Sequence, residues 1–94
     1  MTAIEEIAAE RLRQIAKGYD AAHDDEHDKH EIANAAAALA LNWPGNWPWS
    51  MHSWPDSDRR TQLVMSAAML VAEIERLDRK TSTQPVLALT GDKT

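Results

Sequence analysis

Apolar residues recur at helical spacing in three stretches of the chain. In the first, Ile4, Ile7, Ala8, Leu12 and Ile15 fall mostly three and four residues apart. Thr2-Ala3-Ile4-Glu5 has the form of a capping box, in which the threonine oxygen and the glutamate carboxylate each take one free backbone N–H. Gly18 supplies a stop, because glycine enters the left-handed region without steric penalty. A first helix is predicted over residues 3–17.

The second stretch, HEIANAAAALALN, ends at Trp43-Pro44-Gly45, where proline cannot continue a helix. Acids from Asp20 onward suit the positive end of a helix dipole, and the predicted span is 24–42. Its C-terminal half is apolar all round and mostly alanine, a pattern that puts neighbours on two sides.

The third stretch follows Pro55, with Asp56 or Ser57 as cap, and predicts a helix over 57–80. Leu63, Ala67, Leu70, Ile74 and Leu77 alternate steps of four and three, the period of a narrow bundle seam. Val64, Ala68 and Val71 widen it, and Arg76, Arg79 and Lys80 sit at the negative end of the dipole. The valine, isoleucine and aromatic clusters of an all-β chain are absent. The expectation is an all-α fold, a small antiparallel helical bundle of three main helices. Residues 1–80 form its single domain, with a Trp/Pro-rich loop at 43–55 and a C-terminal tail at 81–94 that carries an apolar piece, Val86 to Leu89. So much alanine makes a thin core, which predicts a homo-oligomer.

Composition narrows the function classes. Ninety-four residues allow one domain. No apolar run approaches the ~20 residues of a membrane span, and MTAIEEIAAE lacks the basic and greasy regions of a secretory signal. The absence of cysteine excludes disulfides, a thiol nucleophile and Cys-ligated metals. A net charge of −5 argues against direct DNA or RNA binding, which needs a basic face to release counterions. The expected location is the cytoplasm of a bacterial host cell.

Candidate chemistry concentrates in His23-Asp24-Asp25-Glu26-His27-Asp28-Lys29-His30-Glu31, with three of the four histidines and five carboxylates. On a continuous helix His23, His27 and Glu31 form an i, i+4, i+8 stripe flanked by Asp24. Imidazoles and carboxylates one turn apart can chelate a divalent cation, so His23, Asp24, His27 and Glu31 are the candidate metal ligands, for Mg, Mn, Zn or Ni. The plainer account of the same residues is an acid-rich first turn complementing the helix dipole.

Two resemblances follow from these residues. Glu10-Arg11-x-Arg13-Gln14, Gly18-Tyr19, His23-Asp24-Asp25-x-His27-x-x-x-Glu31 and the closing Leu70-Val71-Ala72-Glu73-Ile74-Glu75-Arg76-Leu77-Asp78-Arg79 resemble a family of small phage and prophage proteins. More distantly, the layout is similar to phage MazG-like nucleotide pyrophosphohydrolases, all-α, oligomeric and magnesium-dependent. Their metal-holding carboxylate motifs, Glu-Glu-x-x-Glu and Glu-x-x-Asp, align with His30-Glu31-Ile32-Ala33-Asn34 and Gln62-Leu63-Val64-Met65. Only Glu31 remains a carboxylate. Glu75-Arg76-Leu77-Asp78 has the second spacing, but lies about 20 Å further along the helix. The resemblance therefore implies a phage accessory protein that is non-catalytic or weakly catalytic and binds a host protein or a nucleotide. The alternative is a metal-dependent nucleotide pyrophosphohydrolase. No catalytic residue is assigned.

The loop Asn42-Trp43-Pro44-Gly45-Asn46-Trp47-Pro48-Trp49-Ser50-Met51-His52-Ser53-Trp54-Pro55 holds all four tryptophans. They cover a thin core that has no phenylalanine, or present an aromatic patch to a protein partner, or stack on a nucleotide base. Trp43 and Trp54 adjoin the helix ends and are expected to pack. Trp47 and Trp49 are the candidate exposed, partner-binding pair. Arg59 and Arg60 are expected to pair with the Asp24–Glu31 acids or to bind phosphate.

Overall fold

A computed structural model describes residues 1–81 and places four helices there: α1 (Ala3–Ala16), α2 (Ala21–Asp24), α3 (Glu31–Leu41) and α4 (Arg59–Thr81). Two single 3₁₀ turns, Pro44–Asn46 and Met51–Ser53, lie in the tryptophan loop. The described residues contain no strand. The predicted tail, including Val86 to Leu89, lies outside the described residues apart from Thr81, which ends α4.

The start of α1 is the capping box read from the sequence: Glu5 N–H donates to Thr2 Oγ1 at 3.1 Å, and Thr2 N–H donates to Glu5 Oε1 at 2.7 Å. Its end closes around Gly18 at φ +107°. Tyr19 N–H reaches back to the Gln14 carbonyl and Gly18 N–H to that of Ile15, both at 3.0 Å. The end of α3 repeats this closure, with Asn42 in the left-handed region and Trp43 N–H on the Ala38 carbonyl at 2.8 Å. Asp58 caps α4 instead of Asp56 or Ser57; Thr61 donates to its carboxylate, which lowers its pKa below the ordinary aspartate range.

The second predicted helix, 24–42, is helical only over α3, and the short α2 precedes it. α2 ends at Asp24, residues 25–30 turn, and His30 enters α3 in the left-handed region at φ 69°. Asp and His are weak helix formers, and two long-range pairs hold α2 in its own orientation. Arg11 donates to Asp24 at 2.9 Å, and Arg79 donates to Asp25 at 2.8 Å.

α4 is the central element. Its first half runs against α3: Arg59 donates to the carbonyls of Leu39 and Ala40, Gln62 to Asn42 Oδ1 at 3.1 Å, and Ser66 to the Ala36 carbonyl at 2.7 Å. Small residues make this approach close, with Ala35, Ala36 and Ala38 of α3 meeting Ala68 and Ala72 of α4 in the core. Leu39 is the largest fully buried side chain. On the other flank α1 packs on α4 in the same direction, with Glu6 paired to Arg60 at 2.5 Å and Arg11 to Glu75 at 3.6 Å.

Two expectations are corrected here. The seam Leu63, Leu70, Ile74 and Leu77 does not face the core; all four are exposed. α4 buries Gln62, Ser66, Ala68, Ala72, Glu73 and Arg76 instead, because the alanine face of α3 accepts small and hydrogen-bonded side chains. Glu73 and Arg76 neutralise each other there through bonds of 2.8 and 3.0 Å. On α1 the apolar stripe is also outside, Ile4 being 79% and Leu12 68% exposed, while Arg11 and Gln14 are buried.

Candidate functional site

α1, α2, the tryptophan loop and one side of α4 enclose a cleft of about 570 Å³. Its floor is Met65, Met69 and Ala72 of α4, with Ile32 of α3. Glu10, Arg13 and Gln14 of α1, with Lys17 at its C-cap, form one wall. Tyr19, His23, His27, Trp47 and Trp49 form the other.

That second wall is continuous aromatic surface. Tyr19 meets His23 at 5.0 Å between ring centroids, His23 meets His27 at 4.8 Å, and His27 meets Trp49 at 5.4 Å. Trp49 meets Trp47 at 5.1 Å, and Trp47 meets Trp54 at 5.3 Å. Every contact is edge-to-face, the arrangement that ring quadrupoles favour. Trp47 Nε1 donates to Ser53 Oγ at 3.0 Å, and Ser53 Oγ donates to the Ser50 carbonyl at 2.7 Å, which fixes the second 3₁₀ turn beneath the indole. The chain of rings ties the turn after α1 to the tryptophan loop across the mouth of α2.

The polar wall is internally paired. Arg13 donates twice to the Glu10 carboxylate, at 2.7 and 2.6 Å, and Gln14 donates to it at 3.2 Å. The Arg13 hydrogen bonds hold Glu10 below the usual carboxylate range and raise Arg13 in turn. Arg11 lies deeper, donating to Asp24 and to the Tyr19 carbonyl, both at 2.9 Å. Its Nε is buried without a hydrogen bond.

The residues expected to hold a metal come together in pairs. His23 Nδ1 lies 3.1 Å from Asp24 Oδ1, and His27 Nδ1 lies 3.6 Å from Glu31 Oε2. Asp24 is buried, with Arg11 on one oxygen and His23 on the other. Glu31 accepts from Lys29 N–H at 2.7 Å, and its pKa is lowered by backbone hydrogen bonds from its own N–H and that of Lys29. The break at 25–30 removes the continuous stripe on which the expected ligand set was built. Among the described residues, no group of three or more His, Asp or Glu side chains is arranged to hold a metal ion.

Trp47 and Trp49 are half-buried and line the cleft, whereas Trp43, expected to pack, is 58% exposed. Both cleft indoles find aromatic partners there, Trp47 in Trp49 and Trp54 and Trp49 in His27 and Trp47. Trp54 is half-buried, as its position beside the helix end suggests. Arg60 pairs with Glu6 and Arg59 with carbonyls of α3, not with the Asp24–Glu31 acids. Of the five positions aligned with the pyrophosphohydrolase carboxylates, Met65 lines the cleft, while His30, Glu31, Asn34 and Gln62 do not.

Sequence reasoning missed the contribution of α1 and the methionines to this site. Glu10, Arg13 and Lys17 sit at i, i+3 and i+7, a polar stripe that places them on one wall. Met65 and Met69 are one turn apart on the α4 face opposite the leucine seam. The chain matches no protein-family model, no curated protein and no solved structure at a significant level.

Proposed function

We propose that the chain is a phage or prophage accessory protein that binds a nucleotide-class small molecule in this cleft without efficient catalysis. The observation that carries the reading is the aromatic wall facing a methionine floor. Flat π surfaces on one side and polarisable thioethers below suit a planar heterocycle, and a volume of about 570 Å³ falls in the range of small-molecule sites. Base–aromatic stacking contributes about 1–3 kcal/mol per base. Lys17, beside the paired Glu10 and Arg13 in the lining, gives an anionic group a cation to approach. The phage setting is supported by the sequence patterns at 10–31 and 70–79, and the all-helical fold is compatible with the MazG-like resemblance.

Hydrolysis is the less favoured reading. Metal-assisted attack on a phosphate needs carboxylates converging on one or two ions. The cleft carboxylates are Glu10 and Asp24, each already neutralised by an arginine.

The test is titration of adenosine, its mono- and triphosphate and the pyrimidine equivalents, read by tryptophan fluorescence and calorimetry. Saturable quenching is expected, with Trp49→Ala weakening binding at least about tenfold. Lys17→Ala should weaken the phosphates and leave the nucleoside unchanged. Absence of saturable binding up to millimolar ligand rejects the proposal. Magnesium-dependent pyrophosphate release that Glu31→Gln abolishes would make the enzyme reading primary.

A further inference from the structure

The geometry points to a two-fold dimer formed through one apolar face that α1 and α4 share, on the side of the molecule away from the cleft. α1 and α4 run in the same direction, and both turn their cleft-lining residues to the same side. At 3.6 residues per turn, the stripe Ile4–Ala8–Leu12–Ile15 lies roughly 180° round α1 from Glu10, Arg13 and Lys17. The seam Leu63–Ala67–Leu70–Ile74–Leu77 lies roughly 150° round α4 from Met65, Met69 and Ala72. The two stripes therefore emerge side by side as one surface.

Three observations name a second copy of this chain as its occupant. The first is size. The large residues of the two stripes are 39–79% exposed, on the order of 700 Å² of surface, more than the largest apolar patch of a typical monomer and close to the ~800 Å² each partner buries in a standard interface. The second is self-complementarity. A two-fold axis at Leu70 sets Leu63 against the partner's Leu77 and brings the small Ala67 within one residue of the level of the partner's large Ile74. The third is charge. With α4 antiparallel to its partner, Asp78 at the C-terminal end comes on the same flank beside the partner's Arg60, which already pairs with Glu6 of its own chain, twice over by symmetry, and the helix dipoles oppose. A parallel pairing would set Asp78 against Asp78.

The face does not depend on what the cleft binds. Sedimentation of the full chain at micromolar concentration should give twice the mass of one chain. Ile74→Glu should halve that mass while the circular dichroism stays helical. Because the chain has no cysteine, single thiols report the geometry even where a charged variant fails to fold. With a short thiol-reactive cross-linker, Leu70→Cys should join to itself. Leu63→Cys should join to Leu77→Cys in a mixture and only weakly to itself. A monomeric wild type, a dimer that survives Ile74→Glu, or preferential joining of Leu63→Cys to itself would each overturn the proposal.

Discussion

Arg11 and Asp24 are charged, buried and thirteen residues apart, and their bond ties α1 to α2 across the cleft. The composition of the His23–Glu31 segment was legible as a cluster of potential ligands. That the Asp24 carboxylate is taken by an arginine of another helix was not, because spacing along one helix carries no information about a partner on a different one. Leaving a buried charge without its partner is costly, so Asp24→Ala should lower the unfolding free energy by about 3–5 kcal/mol in urea titrations. The loss should be the same with and without Zn²⁺, Ni²⁺ or Mn²⁺. A metal that raises the wild-type melting temperature, but not that of Asp24→Ala, would instead give Asp24 a ligand role. Glu10 gives the pH dependence. Its Arg13 hydrogen bonds lower its folded pKa beneath the unfolded value, so near that range the unfolded chain binds more protons. The stabilisation is present above the unfolded glutamate pKa, about 4.3, and disappears as pH falls through the lower folded value. Glu10→Gln should therefore flatten the acid limb of the stability profile and leave the slope near neutrality unchanged.

At the scale of elements, the capping box, Gly18 and the Trp43-Pro44 stop were all readable, because each is a local arrangement of backbone donors and acceptors. The split between α2 and α3 was not: it depends on the Asp24 and Asp25 pairs with remote arginines, and it leaves His30 at φ 69°. A side chain with a Cβ is strained there, by about 1–2 kcal/mol. His30→Gly should stabilise the fold by about 0.5–1 kcal/mol once the added freedom of the unfolded chain is counted, measured as a raised urea midpoint at constant slope. In the tryptophan loop the ring contacts decide which indoles matter. Trp47 touches two other rings and donates to Ser53, whereas Trp43 is mostly exposed. Trp47→Ala should cost about 2 kcal/mol, and Trp43→Ala under about 1 kcal/mol. Equal losses at the two positions would mean that Trp43 is packed in solution.

For the molecule as a whole, the heptad-like period of α4 was legible as a bundle seam, but period alone does not say which surface the seam meets. The chain's own helices satisfy α4 through alanines, a serine and an internal Glu73–Arg76 pair, which leaves the leucines outside. A protein with so few large buried side chains gains little from its monomer core, and the two kinds of leucine should separate under dilution. Leu39 lies at the α3–α4 contact and is fully buried, so Leu39→Ala should cost about 2–5 kcal/mol at every protein concentration. Leu70 is 47% exposed in the single chain, so Leu70→Ala should cost little where chains are separate. Where they are paired, association contributes to apparent stability by mass action, and the same substitution should lower the melting temperature more as the concentration rises. Thermal unfolding of both variants across a hundredfold range of concentration checks this. Parallel curves for Leu70→Ala and wild type at all concentrations would place the leucine seam outside the cooperative unit that holds the fold.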